Sequence, residues 1–191
     1  MTQESDQSGP VVVLIGSPGA GKSTVGRRVA QRLGVEFADS DALIEQEAGM
    51  SVADLFVTEG EGAFRQREVD TIAAALRDHT GVLSLGGGSV MRAETRELLV
   101  GRRIVWLKVS LSDAAARVGL NTARPLLLGN VRATLGALLA ERSPVYEDVA
   151  TDVVDTSGSS LREVVDAVVA VLGQRPIRED VGQRSVYEEE G

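Results

Sequence analysis

The chain contains no cysteine. That excludes disulfides, Cys-based zinc sites and thiol catalysis, and it is compatible with a reducing compartment. No stretch approaches the roughly 20 consecutive apolar residues of a membrane span. The opening Met-Thr-Gln-Glu-Ser-Asp-Gln-Ser has neither the basic start nor the apolar core of a signal peptide, so a cytoplasmic protein is expected. Positive charge is also scarce: 20 Lys and Arg stand against 28 Asp and Glu, a formal charge of −8. This argues against broad electrostatic binding to nucleic acid or to an anionic bilayer. No internal repeat is visible, and a length of 191 residues favours one domain with a substantial core. Residues 1–9 and 174–191 are polar and aperiodic, the second stretch with five acids against three arginines. Both are expected to be disordered ends around a domain at 10–173.

Against these absences stands one dense motif. The apolar run Val11 to Ile15 leads directly into Gly16-Ser17-Pro18-Gly19-Ala20-Gly21-Lys22-Ser23, followed by Thr24 and a helical pattern. This is G-x-x-x-x-G-K-[ST] in the strand-to-helix context that gives it meaning. Its glycines allow φ > 0, so that successive N–H groups form a nest for phosphate oxygens at a helix N-terminus. Lys22 would reach the β and γ phosphates and Ser23 would hold Mg²⁺, which makes a nucleoside triphosphate the expected ligand. A Gly-rich turn that binds nothing would explain neither the Lys-Ser pair nor its position.

Downstream, strand and helix patterns alternate, the mark of an α/β fold with a parallel sheet. Five strands are expected, at Val11 to Ile15, Val35 to Asp39, Val82 to Leu85, Ile104 to Val109 and Asp152 to Asp155. Helical stripes run through Val25, Val29 and Leu33, through Val69, Ile72, Ala73 and Leu76, and from Leu161 through Val164, Val165 and Val168 to Leu172. Ser51, Ser112 and Ser159 or Ser160 are the expected N-caps.

Open α/β sheets bind ligands at the carboxyl ends of their strands. There the chain places Asp39-Ser40-Asp41 and Gly86-Gly87-Gly88, and a later segment reads Asn121-Thr122-Ala123-Arg124-Pro125-Leu126-Leu127. Acids two residues apart can divide labour, one beside Mg²⁺ and one on an acceptor hydroxyl, although Asp is also a favoured helix cap. Three consecutive glycines cost roughly 0.5–1 kcal/mol each relative to Ala in a regular element. A use for bare backbone N–H groups, or a hinge, would explain them. Arg65 has an ordinary explanation in Glu61, placed four residues earlier for an exposed helix pair. His79, Trp106 and Tyr187 are read as surface, core and tail.

In combination these pieces resemble the shikimate kinase family over roughly Val11 to Gly173. The resemblance rests on the motif at 16–24, Asp-Ser-Asp at 39–41, Ile44-Glu45 and Ser51 to Phe56. It continues through Glu59-Gly60-Glu61 with Phe64-Arg65, the three glycines, Asn121 to Leu127 and Glu141 to Tyr146. It implies Mg·ATP-dependent phosphorylation of the 3-hydroxyl of shikimate, on the route to chorismate and the aromatic amino acids. It also implies a nucleoside-monophosphate-kinase-like fold with sheet order 2-3-1-4-5, helices on both faces and a mobile lid at about 119–130.

Carried over residue by residue, the family pattern makes Lys22, Asp41 and Arg124 catalytic. Gly19 to Thr24 with Arg117 and Arg124 would bind nucleotide. Asp41, Arg65, Gly86, Gly87, Gly88 and Arg142 would bind the acid, and Ser23 with Asp39 would hold Mg²⁺. Phe56 and Phe64 would line the substrate ring, unless they are plain core. The segment from Asp155 to Ser160 would face adenine, without a basic residue of its own, and no Walker-B aspartate follows Val82-Leu83-Ser84-Leu85. ATP and shikimate are the expected partners, with no nucleic acid or membrane, and the expected state is a monomer. A kinase of the same fold for another small hydroxy acid or a nucleoside monophosphate, and an ATP-regulated binding module, are the alternatives.

Overall fold

Alternation along the chain becomes a parallel sheet with helices on both faces. The computed structural model describes residues 9–119 and 128–174. In chain order the elements are β1 (Val12–Ile15), α1 (Lys22–Leu33), β2 (Phe37–Asp39), α2 (Ser40–Ala48), α3 (Val52–Thr58), α4 (Gly60–Asp78) and β3 (Val82–Ser84). A 3-10 turn (Ser89–Met91) then leads to α5 (Ala93–Leu98), β4 (Ile104–Lys108), α6 (Leu111–Gly119), α7 (Leu128–Val149), β5 (Asp152–Asp155) and α8 (Leu161–Gly173). The five strands lie in the order β2-β3-β1-β4-β5 and every pairing is parallel. All five expected strands are present, most of them shortened by a residue or two.

Side chains on β1 alternate between two cores, as the period of a strand requires. Val12 and Leu14 pack with Val25 and Val29 of α1 and with Val164, Val165 and Val168 of α8. Val13 and Ile15 face the other way, onto Ile72, Ala75 and Leu76 of α4, Trp106 of β4 and Tyr146 of α7. Each of these side chains is almost fully withdrawn from water, at about 1.5–3 kcal/mol for each Val, Leu or Ile. A third cluster, Ile44, Leu55 and Phe64, binds α2, α3 and α4 to one another. The predicted stripes hold in their middles and fail at two ends: Leu33 and Leu161 are 38% and 40% exposed.

Local chemistry sets the helix ends. Ser51 Oγ accepts the Asp54 N–H and starts α3. Ser160 and Glu163 form a reciprocal capping box at the start of α8, an arrangement whose Ser contribution is about 1 kcal/mol. The expectation of a cap at Ser112 is corrected to Ser110, whose Oγ accepts the Asp113 N–H at 3.2 Å, because α6 begins at Leu111, two residues earlier than a Ser112 cap implies. Gly9, expected to belong to a loose end, is buried. Among the described residues, no helix is long and apolar enough to cross a membrane.

This topology collects three strand ends. β1 occupies the centre, with β3 on one side and β4 on the other, so chain connections diverge beside its carboxyl end, where open α/β sheets form a ligand crevice. The turn after β1, Asp39 to Asp41 after β2, and Gly86 to Gly88 after β3 all open there.

Candidate active site

The turn after β1 has the backbone a phosphate nest needs. Gly16, Gly19 and Gly21 have φ of 148°, 82° and 86°, conformations that residues with a Cβ rarely adopt. Ala20, between two of them, is buried. Gly21 occupies the N-cap position of α1 without any side-chain cap, so the helix presents its first N–H groups, and the positive end of its dipole, to an incoming anion. Lys22 Nζ lies across the loop and donates to the Gly16 carbonyl (2.8 Å) and the Ser17 carbonyl (3.3 Å). Burial holds its ammonium below the usual lysine range, while Asp39 and Asp41 pull the other way. Thr24 follows on the exposed side of α1.

Ser23 Oγ donates to Asp39 Oδ2 at 2.7 Å. The other oxygen of Asp39 accepts the Asp41 N–H at 3.1 Å and caps α2. The capping and functional readings of Asp39 are therefore both realised, one on each oxygen. Among the described residues no three carboxylates or imidazoles converge as a metal cage. The Ser23 and Asp39 oxygens do converge, and they are hard donors of the kind Mg²⁺ takes alongside phosphate oxygens and water.

Asp41 stands one helical residue further, half-buried on α2. Burial, reinforced by Asp39 and Glu68 and opposed by Lys22, raises its carboxyl pKa to about 6. Such a group is ionised at neutral pH and close enough in pKa to exchange a proton there.

The glycine turn after β3 is where the acceptor-side residues meet. A methyl group at Gly86 would lie 2.6 Å from Asp41 Oδ1 and 3.1 Å from Glu68 Oε1. At Gly88 it would meet the Arg65 guanidinium at 3.0 Å, and at Gly87 it would stand 3.5 Å from Arg142 Nη1. None of the three has positive φ, so here glycine is selected by close approach of side chains. One expectation is corrected: the Gly86 N–H is not available to a ligand, because it donates to Ser40 Oγ at 2.9 Å.

Arg65 projects from α4. Its Glu61 partner is distant at 3.7 Å and itself 73% exposed, whereas Glu68, three residues along, is buried and accepts Arg65 Nη1 at 2.7 Å. Glu68 also accepts the Ser89 hydroxyl at 2.7 Å, which fixes a carboxylate behind the guanidinium. Phe64 belongs to the core and Phe56 packs on it with ring centroids 4.4 Å apart. The Arg65 guanidinium carbon lies 5.7 Å from the Phe56 ring centre and 5.4 Å from that of Phe64.

Arg142 comes from the middle of α7, with its Nε buried and without a hydrogen-bond partner among the described residues. One turn on, the buried Tyr146 donates to the Gly87 carbonyl at 2.5 Å, and burial raises its phenol above the usual tyrosine range. Glu68 and Ser89 do not figure in the sequence reading, and Ser40 and Tyr146 enter it only inside longer matching stretches, without roles. The i, i+3 spacing of Arg65 and Glu68 and the i, i+4 spacing of Arg142 and Tyr146 were the available signals.

Arg117 on α6 donates to the Gly19 carbonyl (3.1 Å), to Thr156 Oγ1 (3.1 Å) and to the Thr156 carbonyl (2.8 Å). It thereby ties the phosphate loop to the segment after β5 and supplies the basic group that segment lacks. Arg124 and most of the expected lid lie outside the described residues. Residues 128–130, expected to belong to the lid, already form the first turn of α7.

A glycine nest with its lysine, a Ser-Asp oxygen pair and a carboxylate of raised pKa, gathered at the strand ends of a 2-3-1-4-5 sheet, define a P-loop phosphotransferase. Comparison with known proteins narrows the class. A profile of the shikimate kinase family matches residues 18–173. Shikimate kinase of Thermobifida fusca is 54% identical over 165 residues, which cover 86% of this chain and 96% of the relative. That of Mycobacterium avium is 51% identical over 164 residues, covering 85% and 93%. Among solved structures, shikimate kinase from Acinetobacter baumannii in complex with shikimate superposes with a TM-score of 0.78 at 34% identity, over 86% of this chain and 92% of that one. A gluconokinase from Sinorhizobium meliloti shares the fold at a TM-score of 0.59 and 24% identity, over 87% and 93%. The chain belongs to the shikimate kinase family.

Proposed function

We propose that the protein transfers the γ-phosphoryl group of ATP to the 3-hydroxyl of shikimate, giving shikimate 3-phosphate and ADP. The observation that carries this reading is the convergence of Asp41, Arg65 and Arg142 on Gly86 to Gly88, within one crevice with the phosphate loop. Shikimate presents a carboxylate at one end and hydroxyls at the other. Arg65 and Arg142 offer planar forks suited to the carboxylate, and the buried Nε of Arg142, without a partner among the described residues, is a donor that an anionic substrate would satisfy. Asp41 then faces the hydroxyl end.

In the transfer, the 3-oxygen forms a bond to the γ-phosphorus as the bond from that phosphorus to the β,γ-bridging oxygen breaks. The hydroxyl proton passes to the Asp41 carboxylate and ADP carries away the bond's electrons. The transition state is loose, so the protein's task is mainly alignment and stabilisation of charge on the equatorial oxygens. Lys22 serves that charge, and by the family pattern Arg124 would join it. Ser23 and Asp39 would hold Mg²⁺, which when bound neutralises charge shared by the β and γ phosphates. Closure of the lid segment over both ligands would exclude water and limit ATP hydrolysis.

The test is ADP release by the purified protein with Mg·ATP, alone and with shikimate, quinate, gluconate and CMP added separately. Rapid release with shikimate alone is expected. Release stimulated by gluconate or CMP instead would assign a different acceptor, and ATP binding that no acceptor converts to turnover would favour a nucleotide-regulated binding module.

A further inference from the structure

On the face of the sheet remote from the acceptor residues, α1 and α8 leave between them a groove of about 560 Å³ lined by Arg28, Gln31, Arg32, Leu161, Arg162 and Val165. Its floor is apolar, with Leu161 40% exposed. Its rim is cationic. Asp166 answers Arg32 at 2.5 Å and Arg162 at 3.8 Å, and Arg28 donates to the Gln31 amide at 3.2 Å. Three arginines against one acid leave an excess of positive charge on a chain whose formal charge is −8.

We propose that the acidic segment Val186-Tyr187-Glu188-Glu189-Glu190 of the same chain docks in this groove. Its composition matches the groove in order: two apolar side chains for the floor, then three carboxylates for the arginine rim. Reach permits it. The groove lies near the start of α8, about 20 Å back along the helix from Gly173. The twelve residues from Arg175 to Val186 span up to about 40 Å when extended. The segment lies beyond the part of the chain matched to the family, which ends at 173. A nucleic acid would be repelled by the overall charge, and a free phosphate ion would leave the apolar floor uncovered. Docking braces Leu161 and Arg162, the residues that directly follow the segment Arg117 ties to the phosphate loop.

The experiment compares amide hydrogen exchange in full-length protein and two full-length variants, one carrying Glu188→Lys, Glu189→Lys and Glu190→Lys, the other Arg28→Glu and Arg162→Glu. Amides of residues 184–190 are expected to exchange at least about threefold faster in each variant than in the parent, and the combined variant, with both charge sets reversed, is expected to recover protection. Equal exchange in all four proteins overturns the proposal. Protection that grows with protein concentration also overturns it, by placing the segment of a second copy in the groove. A check on the unmodified protein is the rate of tryptic cleavage after Arg184 relative to a free peptide of the same sequence. Docking predicts slower cleavage at low salt than at high salt; the same relative rate at both contradicts it.

Discussion

The two halves of the crevice are built by different means. On the donor side, one continuous stretch from Gly16 to Thr24 supplies the turn, the nest, the lysine and the Ser23 hydroxyl, and its geometry is mostly backbone. On the acceptor side, side chains from α2, α4 and α7 meet over the turn after β3, where buried Glu68 holds Arg65 while Ser40 and Tyr146 hold the backbone of the turn itself. A local motif keeps its shape almost wherever a strand precedes a helix. A convergent site depends on the whole fold to set each distance, so small steric changes should damage it more than equally small changes on the donor side.

The largest expected effects fall on groups that act in the transition state. Lys22→Ala, Arg124→Ala and Asp41→Asn should each lower kcat by at least about 10², read from steady-state ADP release. Wild-type kcat in the Arg124→Ala protein would remove that residue from the transition state.

Next comes the steric contrast. Gly86→Ala puts a methyl group 2.6 Å from Asp41 Oδ1, so it should raise KM for shikimate and lower kcat, while ATP affinity measured by calorimetry stays within about twofold. Equal loss on both substrates would break the distinction between the two halves. Arg65→Ala should chiefly raise KM for shikimate, by about 10- to 100-fold, as expected for a charge-assisted bond. Glu68→Gln should do the same more weakly, since it loosens the guanidinium without removing it.

The smallest effects concern pH. In the proposed transfer the ionised Asp41 takes the hydroxyl proton, so kcat/KM for shikimate should fall as pH drops through about 6. Its effect on stability has the opposite direction. A carboxyl whose pKa is raised on folding binds its proton more tightly in the native state, so native stability declines as pH rises from about 4 to about 6. Asp41→Asn should therefore stabilise the protein above pH 6, by on the order of 1–3 kcal/mol, and give no such gain below pH 4. Denaturant unfolding at both pH values measures the difference.

The same contrast explains what could be read from the sequence. Strand positions and the phosphate loop were legible because period-2 and period-3.6 patterns and a contiguous motif are local signals. The sheet order and the roles of Arg65 and Arg142 came from family resemblance, since in sequence terms alone Glu61 was an adequate partner for Arg65. The buried Glu68 that actually holds it, and the Ser40 hydroxyl that occupies the Gly86 N–H, follow from how α2 and α4 lie against β3. Helix packing of that kind is not written in any short segment. Leu161 shows the reverse case, an apolar residue in phase with its stripe that packing leaves outside the core.

In the proposed transfer Asp41 takes the proton from one particular hydroxyl of shikimate, that on carbon 3. Phosphorus-proton correlation NMR of the product, followed in time with the parent protein and with Asp41→Asn, tests it most directly. The prediction is phosphate on the 3-oxygen, formed at least about 10² more slowly by the variant, with the KM for ATP unchanged. Phosphate on another hydroxyl, or an undiminished rate from Asp41→Asn, would contradict it.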